Sequence, residues 1–209
     1  MNKLKTLFLG LGCMTALSLV SCLKSETSEE GLSKAQISQC FAAVKGNYSG
    51  KMIYSAKNPQ NIYDNQDTID IEWTVNNDTM LIVKSFPANI VAENIRNNDV
   101  KASLMEDNPK QDVKCMMAFT GNDPYVQFVL GPQRVDYPCF YNGFTHTLNV
   151  FFWADYHSYG EKDASNGEMV VRLTLAAAYI DGDENTNLLS SYTSEAAAIP
   201  VIITNTLKD

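Results

Sequence analysis

Histidine is almost missing: His146 and His157 are the only two in 209 residues. Cysteines are few and spaced without any zinc-finger rhythm, so a metal centre built on imidazole or thiolate is not expected. The chain has no glycine-rich phosphate loop, no dinucleotide fingerprint, no G-x-S-x-G nucleophile elbow and no H-E-x-x-H helix, and no cofactor is expected. Basic residues are short as well, 16 Lys and Arg against 24 Asp and Glu. A footprint for nucleic acid or an anionic lipid surface needs the opposite balance, so neither is an expected partner. What remains is 45% apolar and 19% charged, the composition of a chain that folds around a core.

The first residues have a layout of their own. Lys3 and Lys5 precede an apolar run from Leu7 to about Val20, and the small Ser21 ends it. That is the pattern of an export signal over residues 1–21, and the run is short of the ~20 apolar residues a spanning helix needs. Leu19, Val20, Ser21 and Cys22 resemble the bacterial lipobox, in which small residues expose the scissile bond and the thiol is acylated. Cys22 is therefore the expected lipidation site, and the membrane an expected partner through that lipid. Cys13 also follows a small residue, but it has too little apolar chain before it and another apolar run after it. Cleavage before Cys22 removes two lysines and no acids, taking the net charge from −8 to about −10. Residues 22–32 read as a polar, acidic tether, followed by one β-rich domain over 33–209.

"LSKAQISQCFAAVKG" is a helix with its own stop signs. Ser33 and Gln36 form a capping box, and Ile37, Cys40, Phe41 and Val44 make one apolar stripe. After Gly46 the period changes from 3.6 to 2. Ile69, Ile71, Trp73 and Val75 alternate with polar residues, then "NND" turns into the apolar run Met80 to Val83, which reads as a hairpin. "VKCMMAFTGNDPYVQFVLG" repeats the theme around a Gly121–Pro124 turn. "THTLNVFFWADY", "EMVVRLTLAAAYI" and "AAIPVIITNTL" are further strands, the first two separated by the loop "HSYGEKDASNG". Only "FPANIVAENIRNNDVKASLM" breaks the rhythm, suggesting one or two short helices. Too few helices are present for parallel crossovers, so the expected fold is mainly β, an antiparallel β-sandwich or partly closed β-barrel with an N-terminal helix.

Three cysteines stay in the domain. They are either all free or one pair and a spare; if a disulfide forms, Cys115 with Cys139 is the expected pair, leaving Cys40 on its helix stripe. "DGDENTN", from Asp181, begins like a calcium loop but lacks its central glycine and its closing glutamate, and reads as a turn between two strands rather than a metal site. Trp73, Trp153 and the tyrosines at 125, 137, 141, 156 and 159 fill a core or line a groove that stacks sugars. His146 and His157 are not expected to share a site, because an odd spacing along a strand sends them to opposite faces.

The lipobox at Cys22, "AAVKGNYSGKM", "DTIDIEWTVNNDTM", "FPANIVAENI", "FTHTLNVFFWADY" and "TLAAAYIDG" together resemble a family of uncharacterised lipoproteins of the Bacteroides group, a domain of unknown function. The resemblance implies the bacterial cell envelope, with a lipid anchor in the outer membrane and a periplasmic or surface-exposed domain. It also makes Thr68 and Thr79, each preceded by Asp, candidate O-glycosylation sites. It carries over no catalytic residues. Two functions stay open: a non-catalytic binding or accessory module for a glycan or peptide, and an envelope hydrolase. The hydrolase needs two of Asp70, Glu72, Asp136, Asp155 and Glu168 brought to ~5–9.5 Å in a cleft.

Overall fold

The structure, a computed structural model, describes residues 31–55, 66–189 and 199–205; the signal segment, Cys22 and most of the tether lie outside them. Helix α1 spans Lys34–Val44, and strands β1 (Gly46–Ser55), β2 (Gln66–Asn77) and β3 (Met80–Pro87) follow. Two short helices come next, α2 (Ala88–Ala92) and α3 (Asn98–Asp107). The rest is strand: β4 (Lys110–Gly121), β5 (Tyr125–Pro132), β6 (Val135–Tyr141), β7 (Phe144–Trp153), β8 (Asp155–Asp163), β9 (Met169–Ile180) and β10 (Ile199–Thr204). Among the described residues no helix is long and apolar enough to cross a membrane.

Every pairing between these strands is antiparallel. Strands β1 to β5 form a meander, β8 joins β5, β9 joins β8, and β10 lies between β9 and β1. Ile202, for example, faces Ile53 on one side and Arg172 on the other. Eight strands thus close into a barrel: the fold is mainly β and antiparallel, as the alternation predicts, and of the two expected forms it takes the barrel, with closure complete. One local expectation is overturned: His157 to Asp163, read as loop, belong to strand β8, and without it β5 and β9 would have no common neighbour.

The β6–β7 hairpin is an addition to this barrel. It continues the edge of β9 beyond the end of β8, pairing Leu148 to Trp153 with Ile180 to Thr174. Its tight turn puts Asn142 and Gly143 at φ 52° and 82°, the left-handed region that two-residue hairpin turns require. The Tyr137 hydroxyl ties the hairpin to the end of β3 by donating to the Phe86 carbonyl at 2.9 Å, and α3 lies against it, with Phe140 N donating to Ser103 Oγ at 2.8 Å. Strand β6 is left as the outer edge, where Pro138 offers no donor to a passing chain.

Alternation along the strands sends one row of side chains inward. Met52, Ile71, Trp73, Val83, Val113, Phe128, Leu130, Leu173, Val201 and Ile203 are all at most 6% exposed. Helix α1 packs where β4 turns into β5, its Cys40 Sγ 3.8 Å from the Gly121 carbonyl. The capping box is formed: Ser33 Oγ accepts from Gln36 N at 3.3 Å while Ser33 N donates to Gln36 Oε1 at 2.9 Å. Ala88, Ile90, Val91 and Ala92 of α2 and Val100 and Leu104 of α3 extend the same core. Cys40, Cys115 and Cys139 are all buried and free, so the Cys115–Cys139 bridge is not formed in this structure. Burial pushes the Cys115 thiol up to about 12.

Candidate functional site

The outward row of β1, β2 and β3 is polar where the inward row is apolar. The strand register sets Lys51 beside Asp70, and Ser49 beside Glu72 beside Lys84, so these five side chains stand on one face of three paired strands. They form the floor of an open groove of about 720 Å³. Asn89, Asn108 and Lys110 wall one side of it, and Asn205 also lines it. A second depression of about 410 Å³ adjoins it, sharing Ser49, Glu72 and Lys84 and adding Asn47, Thr74 and Asn76.

Local chain geometry keeps the groove open. A bulge between Val83 and Phe86 breaks the β3–β4 register, and there Ser85 takes φ 51° while Asn108 after α3 takes φ 38°. Left-handed backbone at residues other than glycine is costly and recurs at binding sites. The bulge is held by Asp112, which accepts from Lys84 Nζ at 2.8 Å and from Ser85 N at 3.0 Å. These two bonds hold the Asp112 carboxyl below its ordinary range. Asn108 Oδ1 in turn accepts from Asn89 N at 3.0 Å, while Asn89 Oδ1 is buried with no hydrogen-bond partner among the described residues.

Of the five carboxylates considered for hydrolysis, Asp70 and Glu72 share this groove. They lie two residues apart on one strand, so their Cα atoms are about 7 Å from each other. A general acid, however, needs a carboxyl kept protonated by a dry surround. Asp70 is the reverse, its side chain 86% exposed and paired to Lys51 at 2.9 Å. Asp136 pairs with Arg134 at 2.9 Å on the edge strand β6. Asp155 opens β8, and Glu168 stands at the end of the β8–β9 turn, where its backbone N donates to Asn166 Oδ1.

The aromatic candidates divide. Trp73 and Tyr137 are core, with Trp73 stacked on Tyr48 at 5.3 Å. Trp153, Tyr156 and His157 are not core: the His157 ring lies 4.0 Å from that of Tyr156 and 5.5 Å from that of Trp153, at the β7–β8 corner. His146 is elsewhere, under Tyr141 (4.3 Å) with Nδ1 2.8 Å from Asp181 Oδ2, so the two histidines are not brought together. His146 also faces Cys139 across β6 and β7. Cysteine, imidazole and carboxylate thus meet without making a nucleophile, because burial first and the Asp181 charge second push the Cys139 thiol up to about 11. Of the "DGDENTN" carboxylates, Asp181 ties the turn to β7 by accepting from Thr147 N, and Asp183 accepts from Asn185 N within the turn. Thr68 is exposed on β2, and Thr79 is exposed in the β2–β3 turn with its hydroxyl on Asn77 Oδ1 at 2.9 Å.

The sequence pattern made the Asp70 and Glu72 face legible. It did not announce Asn89, Asn108 or Asn205, whose approach depends on the bulge and on barrel closure. Residues 43–180 match a family described as Domain of unknown function (DUF4840). No curated protein and no solved structure matches the chain.

Proposed function

From the premise that the chain belongs to this family, whose domain covers more than half its length, we propose that it is a lipid-anchored binding module of the bacterial cell envelope. We place it among the lipoproteins of the Bacteroides group, acylated at Cys22, and assign the β1–β3 groove to a glycan. The observation that carries the ligand class is the composition of the groove. Hydroxyl, amide, ammonium and carboxylate groups alternate over its floor and wall, the mixture of donors and acceptors that a polyhydroxylated ligand uses. A peptide is served less well. The groove lies on a sheet face whose strands β1, β2 and β3 are paired on both sides, so no free edge offers main-chain bonds to an added strand. Thr68 and Thr79 are exposed and fit modification by O-glycosylation.

Two experiments test this reading. Detergent-phase partitioning of the expressed protein should be lost in Cys22→Ala; partitioning unchanged by the substitution refutes the anchor. Ligand at a hundred times its Kd stabilises by about 2.7 kcal/mol, or about 5–11 °C in Tm for a domain of this size. A thermal-shift screen of oligosaccharides and peptides should therefore find an oligosaccharide that stabilises the mature domain but not Lys51→Ala/Glu72→Ala. Stabilisation by peptides alone refutes the glycan assignment. The shared groove of Asp70 and Glu72 favours one second reading, a hydrolase. Release of reducing ends from an oligosaccharide, abolished by Glu72→Gln, would establish it.

A further inference from the structure

We propose a second carbohydrate site, separate from the groove, at the corner between β7 and β8, where Tyr156 stacks a neutral pyranose ring. Three rings that strand alternation would scatter are gathered there. Asp155 sits at φ 56°, the turn is closed by His157 N donating to the Ala154 carbonyl at 3.3 Å, and the rings of Trp153, His157 and Tyr156 fall into one row. Successive planes are inclined by 34° and 35°. Trp153 and His157 are half-buried and back the row, while Tyr156 at its outer end is 68% exposed.

The row suits a sugar ring for three physical reasons. A pyranose presents a face of C–H groups rimmed by hydroxyls, which packs on an aromatic face while its rim stays wet. Tyr156 is backed by other rings, so little side-chain freedom is lost when a ligand lands on it. The carboxylate of Asp155, an exposed residue beside the rings, is placed to accept from hydroxyls. Its charge, with the net −8 of the chain, repels anionic glycans and so selects a neutral one. The left-handed backbone at Asp155 is the strain that such a fixed arrangement carries.

The site lies on different strands from the groove, and this separates the two in one experiment. Affinity electrophoresis of the mature domain through gels containing laminarin, galactomannan, dextran or polygalacturonate should show retardation by at least one of the three neutral polymers and none by polygalacturonate. Tyr156→Ala should weaken the retardation at least tenfold. Tyr156→Phe, which keeps the ring, should retain it, and Tyr156→Ala should weaken it by the same factor in a Glu72→Ala background, where the groove is disabled. The shelf is refuted if none of the neutral polymers retards the protein, if Tyr156→Ala runs like the wild type in every gel, or if polygalacturonate retards as strongly as the neutral polymers. Retardation abolished by Glu72→Ala alone would assign the binding to the groove and overturn the shelf while leaving the proposed function standing.

Discussion

Replacing Gly160 by alanine tests the closed barrel at one methyl group. Gly160 lies on β8 opposite Phe128 of β5 and Val171 of β9. A Cβ built there falls on Cε2 and Cζ of the Phe128 ring and lies 3.1 Å from the Val170 carbonyl. The ring has little room to yield, being 1% exposed and edge-packed on Phe119 at 6.2 Å. Forcing an extra methyl into a filled core costs about 1–3 kcal/mol, and removing a glycine from a strand returns about 0.5–1 kcal/mol. Mid-range values, about 2 kcal/mol lost and about 0.75 kcal/mol regained, leave an expected net loss of about 1 kcal/mol, or about 2–4 °C in Tm. Urea unfolding followed by the buried Trp73 measures it. The cause is checked by Gly160→Ala/Phe128→Leu: if ring and methyl collide, Phe128→Leu costs less in the Gly160→Ala background than in the wild type, with a coupling of about 0.5–3 kcal/mol. A Gly160→Ala protein as stable as the wild type, or strictly additive substitutions, would refute the packing of β8 against β5.

Asp112, held below its ordinary 3.8 by Lys84 and Ser85, adds stability that is complete above that value and is lost as pH falls through the lower folded one. The stability gap between wild type and Asp112→Asn should therefore narrow as urea midpoints are followed from pH 5 to pH 2, and a gap that widens would refute the assignment. The three domain cysteines, buried and free, should resist alkylation in the native protein at neutral pH. All three should react once the mature domain, prepared without Cys22, is unfolded without reductant; a single labelled thiol in the intact mass would mean that Cys115 and Cys139 are bridged.

Local pattern revealed most strands because a barrel wall has a dry side and a wet side. Ile69 to Val75 alternate for that reason; the turn itself falls at Asp78–Thr79, one residue beyond the centre of "NND", and a bulge between Val75 and Asn77 shifts the register with β3. The same reasoning failed at β8. Its inward positions hold Gly160, where Phe128 occupies the space, and Lys162, which donates to the Tyr48 hydroxyl at 2.9 Å. Ser158, fully buried, accepts from Thr174 N at 3.1 Å. A strand whose neighbours supply its apolar bulk reads as a loop. Alternation likewise fits a sandwich or a barrel; closure depends on β10 reaching both β1 and β9, a partnership between distant segments that periodicity does not encode. For the candidate sites, Asp70 and Glu72 were legible as neighbours on one face, whereas Trp153, Tyr156 and His157 were gathered by a backbone conformation at Asp155 that aspartate only occasionally adopts.

The position of β10 bears on how the chain reaches its fold. Lys51 to Ile53 pair with Thr204 to Ile202, joining segments about 150 residues apart, and such long-range pairing makes folding slow. Until this last strand arrives, β1 and β9 each present an unpaired edge, the surface through which β-rich chains associate wrongly. A chain emerging from the N-terminal side therefore adds about 150 residues after β1 before its barrel can close. Loss of the segment from Ile199 to Thr204 would open two edges at once.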